Sequence, residues 1–178
     1  MKLSRDYVIS ELKRWSFPTS ERETEIALHI AENLRVETIT RYTPEQLAWM
    51  KMKQNACFQN SYFMEKNDPE GKTRVVHGWM PDEGGEAYVR HAVIRNDHGL
   101  FCVTPMAVDF GPTMQFIVDP DLGTTEDHTG FTYRGEPFKW PGIRCNPEHT
   151  LAQNTLRIRH LRIGASIKKV MQRDYGDK

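Results

Sequence analysis

The sequence predicts an α+β fold, and three observations predict it. Apolar residues recur at helical spacing from the start of the chain to about residue 66, short β-branched and alternating runs take over between Thr73 and Pro120, and a stretch of helical composition follows from about His149 to Arg173. The expected architecture is a set of N-terminal helices and a cysteine-bearing helix packed on an antiparallel sheet. With 178 residues the chain fits a single domain that can bury a core without disulfides or metal. Its expected parts are a helical region 1–54, a cysteine helix and sheet core 55–122, and an aromatic loop with a C-terminal helix 123–178.

The first helix runs from Ser4 to about Trp15, since Val8, Leu12 and Trp15 share one face, and Ser16 to Pro18 end it. In SERETEIALHIAENLRV, Ser20 and Glu23 have capping-box spacing, and Ile26, Ala27, Ile30, Ala31 and Leu34 form a core stripe. TPEQLAWMKMKQ starts a third helix, with Thr43 as N-cap, Pro44 in the first helical position and Gln46 as capping-box partner. NACFQNSYFMEK then predicts a helix over 55–66 with Asn55 as its N-cap. After Asp68, Pro69 and Gly71, TRVVHGWM reads as a strand that stops at PDEGGE. AYVRHAVIRN and LFCVTP flank NDHG, which predicts a β-hairpin pairing Arg95 with Leu100, Val93 with Cys102 and His91 with Thr104. QFIVDP is a further strand. Glycines and prolines make Gly123 to Pro147 a loop with room for one short strand, and Gly164 is a break in the final helix.

Composition narrows the function classes. Basic and acidic residues balance overall, yet residues 65–127 carry twelve acidic and five basic side chains, whereas residues 134–178 carry four and ten. A basic tail without a nucleic-acid-binding motif is a solvated face or a complement to the acidic middle, so nucleic acid is not the expected partner. Three cysteines, Cys57, Cys102 and Cys145, are an odd number and are expected as free thiols in a cytoplasmic protein. The first fifteen residues lack a signal-peptide core, and no apolar run reaches the length of a membrane span. Phosphate-binding glycine loops and serine elbows are absent from the sequence, and no cofactor is expected. Trp49, Trp79 and Trp140 are expected in the core or a cleft wall.

The chemistry-bearing residues are a thiol and an imidazole. A nucleophilic cysteine needs support for its thiolate, which a helix N-terminus supplies through unpaired N–H groups and a histidine supplies by taking the proton. Cys57 falls in the first turn of its helix and His91 in the middle of a strand; each is also an ordinary core residue type. His77 has no obvious orienting neighbour in the sequence, and His98 belongs to an exposed turn. C-x-x-N at Cys57 and Asn60, G-W at Gly78 and Trp79, H-A-V at His91 to Val93, D-x-G-L at Asp97 to Leu100, V-T-P at Val103 to Pro105 and F-x-x-D-P at Phe116 to Pro120 follow one another in that order. Together they resemble the core of papain-like and transglutaminase-like cysteine enzymes, and in particular a little-characterised group of small bacterial and viral proteins with that core.

The resemblance implies a papain-like core over residues 57–120, with Cys57 as nucleophile and His91 as general base. It implies an acidic orienting residue just before Val-Thr-Pro, and this chain has Cys102 there. Three readings stay open: a relative that binds without turning over; a ring oriented by Asp109, Asp119 or Asn96; or Cys57, Cys102 and His91 as ligands of a soft metal. The enzymatic expectation is a cysteine hydrolase or acyl transferase acting on an amide or ester bond, with the Cys57 N–H and the Gln54 side chain as oxyanion donors and Asn60 supporting the loop around the thiol. Its rival is an interaction protein on the same scaffold, with a protein partner.

Overall fold

The computed structural model describes residues 4–82, 84–106, 111–125 and 130–172. The fold is α+β, with a six-stranded mixed sheet and a small three-stranded one. The chain divides into two compact units, one of residues 1–29, 82–88 and 140–178, the other of residues 30–81 and 89–139.

The first unit contains helix α1 (Arg5–Arg14), most of α2 (Glu21–Asn33), strand β9 (Gly142–Arg144) and helices α5 (Pro147–Arg162) and α6 (Ile167–Val170). Ser4, Asn146 and Ser166 cap α1, α5 and α6 by accepting a backbone N–H, as short polar side chains do at helix starts. Val8 and Leu12 meet Leu161 and Val170 in a small core. At the start of α2 only half the expected capping box forms. Ser20 accepts from the Glu23 N–H, but the Glu23 carboxylate lies buried against Arg144 of β9, with Arg144 Nη2 to Oε2 at 2.6 Å and Nε to Oε1 at 2.8 Å.

The second unit contains β1 (Val36–Arg41), α3 (Pro44–Trp49), α4 (Cys57–Lys66), β2 (Arg74–Pro81), most of β3 (Ala87–Asn96), β4 (Gly99–Cys102), β5 (Thr113–Val118), and the small sheet of β6 (Leu122–Thr124), β7 (Phe131–Tyr133) and β8 (Glu136–Pro137). Thr43 and Gln46 form the complete capping box expected of α3. The β3–β4 hairpin has the expected register, Arg95 opposite Leu100.

Three local expectations are corrected. The sheet is mixed, because β1, a strand not among the elements expected from the sequence, runs parallel to β4 and antiparallel to β5. The N-cap of α4 is Ala56, which offers no side-chain bond, while Asn55 takes a left-handed φ of 58° in the turn before it. Residues 122–144 hold four short strands where one was expected.

The strand order is β2-β5-β1-β4-β3, and β2 pairs again with β3, so five strands close into a ring; β9 adds to β3. Closure brings β2 and β5 together at Gly78, where a Cβ would run into the Ile117 carbonyl and the Phe116 ring. Alternation along the strands gathers Ile39, Val93, Cys102, Met114 and Phe116 into one cluster, while Ile94 and Val103 join Leu47 of α3 in another.

Candidate functional site

Helix α4 presents an unusual buried face. Its fully or nearly buried side chains are Asn60 and Ser61, while Phe58 and Met64 pack at its sides against Phe131 and the Leu47 cluster. Asn60 closes a clamp: its Oδ1 accepts from the Lys53 N–H at 3.0 Å, and its Nδ2 donates to the Lys53 carbonyl at 2.8 Å and to Thr104 Oγ1 at 3.3 Å. Asn55 N–H donates to the Pro105 carbonyl. The turn that delivers Cys57 is thus tied to the chain just after β4. Gln54, expected to help an oxyanion, is exposed in that turn.

Cys57 is the first residue of α4 and half-buried. Its sulfur lies within reach of backbone N–H groups of Ala92, Phe58 and Cys57 itself, each of which favours the thiolate. Burial outweighs them and pushes the thiol pKa up to about 11. A helix N-terminus alone does not make a reactive cysteine when the sulfur is taken out of water.

His91 is 4% exposed, and Phe116 packs edge-on against its ring. Its Nε2 lies 3.4 Å from Cys102 Sγ, and Cys102 donates toward the Thr104 carbonyl at 3.9 Å. With the S–H directed to that carbonyl, Nε2 carries the ring proton and donates to sulfur, which leaves Nδ1 as the basic nitrogen. Burial, with the Arg41 guanidinium acting in the same direction, lowers the imidazole pKa to about 4. Burial also raises the Cys102 pKa, against smaller opposing effects from the Thr104 backbone and Arg41.

The two principal residues are brought to neighbouring backbone, since the N–H of Ala92, the residue after His91, acts on the Cys57 sulfur. No hydrogen bond joins Cys57 to the His91 ring. The alternative orienting groups are engaged elsewhere: Asp119 accepts from Trp79 Nε1 at 2.7 Å and from the Asp121 N–H, and Asn96 accepts from the His98 N–H. Asp109 lies outside the described residues. Cys57, Cys102 and His91 do not bring three ligand atoms within 4.8 Å of one another, so they do not form a metal site.

His77 does have orienting neighbours. Its Nδ1 donates to the Leu122 carbonyl at 3.2 Å, so Nε2 accepts from Tyr62 OH at 3.2 Å, and Tyr62 OH also bonds Thr124 Oγ1 at 3.0 Å. Tyr62 is one helical turn beyond Phe58, whose ring tilts against His77; that i, i+4 spacing was the available signal. Trp79 is fully buried, but Trp49 is 84% exposed on the short α3, against expectation.

The low His91 pKa makes stability depend on pH. A histidine in the unfolded chain takes up its proton near pH 6.5, whereas the buried ring does so near 4. The folded state therefore binds fewer protons between these values, and stability present above about pH 6.5 falls as pH drops toward 4, by roughly 3 kcal/mol in all. Urea unfolding at pH 7 and 4.5 is expected to show this loss in the wild type and not in His91→Gln; equal losses in both proteins would contradict it.

None of the described helices is long and apolar enough to cross a membrane. In comparisons with known proteins, no family model, no curated protein and no solved structure matches this chain.

Proposed function

We propose that this chain is a binding protein on a papain-like scaffold in which the thiol and imidazole are set against turnover. The observation that carries the reading is the contact of His91 Nε2 with Cys102 Sγ. A neutral thiol occupies the place where an orienting acid would stabilise the imidazolium formed during attack. The guanidinium of Arg41 disfavours that imidazolium further, and the Cys57 thiol holds its proton up to about pH 11. An ion pair between Cys57 and His91 at neutral pH is therefore disfavoured from both sides.

A second reading has its own observation. The backbone N–H groups of Ala92, Phe58 and Cys57 act on the Cys57 sulfur in the direction that favours the thiolate, the form a nucleophile needs. In that case Cys57 attacks an amide or ester carbonyl while His91 takes the thiol proton and passes it to the leaving group, and water releases the acyl group.

Alkylation of Cys57, followed by peptide mapping to separate it from exposed Cys145, distinguishes the two. The binding reading expects slow labelling at pH 7, where about one thiol in ten thousand is ionised, rising tenfold per pH unit toward 11 and unchanged in His91→Ala. Fast labelling that persists below pH 7 and is lost in His91→Ala would replace it with the acyl-transfer reading.

A further inference from the structure

A groove of about 440 Å³ runs between the end of α1 and the C-terminal half of α5, wholly within the first unit. Asn154 Nδ2 joins the two helices by donating to the Leu12 carbonyl at 3.4 Å. The charged groups of the groove are Lys13, Arg159 and Arg162, all exposed, and no acidic side chain is among its described lining residues. Among the described residues none of the three cations has a side-chain hydrogen bond or ion pair. Glu11, the acidic residue closest to Lys13 in α1, pairs with Arg14, and α5 has no acidic residue after Glu148 in its first turn. The helix ends answer part of this charge: two C-terminal dipoles amount to about one negative charge together, which leaves about two of the three positive charges unmatched.

We propose that this groove binds a small phosphomonoester with an apolar body, the phosphate held by Lys13, Arg159 and Arg162 and the body lying along Ile158 and Ile163. A phosphomonoester near neutral pH carries close to two negative charges and three acceptor oxygens, which matches the unmatched charge, and guanidinium forks suit its geometry. The Ser16 and Thr155 hydroxyls donate to the Leu12 and Leu151 carbonyls of their own helices, so the cations are the donors that meet the anion. No aromatic ring is among the described lining residues, so the groove has no platform for stacking bases, and single-stranded nucleic acid is not its ligand. The site belongs to the first unit alone, and its test is independent of the reading of Cys57 and His91.

Calorimetric titration of the full chain at pH 7.5 compares hexyl phosphate with hexyl sulfate, which has the same body and a single charge, and with inorganic phosphate, which has no body. Hexyl phosphate is expected to bind about fivefold or more tightly than either. Arg159→Gln with Arg162→Gln is expected to weaken it about tenfold or more; both positions are exposed and glutamine is a good helix former, so the variant folds. Lys168→Gln with Lys169→Gln removes two exposed cations of α6 that do not line the groove, and in about 0.15 M salt is expected to leave affinity within about twofold. Ile163→Ser, at a position 75% exposed, is expected to weaken hexyl phosphate and leave inorganic phosphate unchanged. Equal affinity for the phosphate and sulfate esters, an equal loss in the two double variants, or no binding of hexyl phosphate overturns the proposal. In the last case, binding to phosphatidylcholine vesicles that contain phosphatidic acid would assign the basic face to a membrane surface instead.

Discussion

Replacing Arg144 by methionine is expected to destabilise the first unit by about 3–5 kcal/mol, the cost of leaving one partner of a buried ion pair alone. Arg144 and Glu23 are both 0% exposed. The guanidinium donates to both Glu23 oxygens and to the carbonyls of Trp15, Phe17 and Pro18, and it stacks 3.8 Å over the Phe17 ring. Methionine approximates the length and apolar stem but supplies no donor, so a carboxylate and three carbonyls lose a buried partner together. The double variant Arg144→Met with Glu23→Leu removes the stranded charge and is expected to recover a large part of the loss. Urea unfolding at pH 7 measures both. A loss below about 1 kcal/mol in the single variant would mean that water reaches the pair on unfolding of a few residues, and that it does not hold α2 to β9.

Cys102→Asp is expected to have the largest effect on the chemistry of the second unit. A carboxylate at that position accepts from His91 Nε2–H and offsets the Arg41 charge, and both effects favour the imidazolium. The His91 pKa should rise from about 4 by about two units or more, and Cys57 labelling at pH 7 should quicken by about tenfold or more. NMR titration of the ring and timed alkylation report the two separately. Adding His91→Ala should cancel the gain in labelling. An unmoved imidazole would show that Arg41 takes the new carboxylate for itself, and would remove the orienting role from position 102. Cys102→Asn, an uncharged isostere of the aspartate, should leave the titration near its original value and so separates charge from shape.

Much of this fold is legible in local chemistry. Thr43, Pro44 and Gln46 specify the start of α3 because capping needs only residues three apart, and NDHG specifies a hairpin register because a short turn leaves the strands no freedom to slip. β1 was less legible. Val36, Thr38, Ile39 and Thr40 are β-branched, but in VETITR only Ile39 is buried, so no alternating apolar pattern marks the strand. The Glu23–Arg144 pair was invisible because it joins residues 121 apart, and a glutamate three positions after a serine already has a sufficient local explanation. At the candidate site the positions of Cys57, His91 and Asn60 could be read from their elements. Their protonation could not, because it depends on how much water each group loses and on Arg41, a residue from a strand the sequence did not announce. The His77 network was missed for a similar reason: its partners come from a helix and from a strand three residues long.

The closed strand ring also limits how the second unit can recognise other chains. An open sheet offers an edge row of N–H and C=O groups onto which an extended peptide can add as one more strand, whatever its sequence. Here β2 pairs with both β5 and β3, and β3 carries β9 beyond that, so these backbone groups already serve one another. Among the five strands of the ring none is left at an edge for a partner or a misfolded copy to extend. Recognition by the ring itself therefore falls to side-chain chemistry, which selects by shape and charge where an open edge would have accepted almost any extended chain.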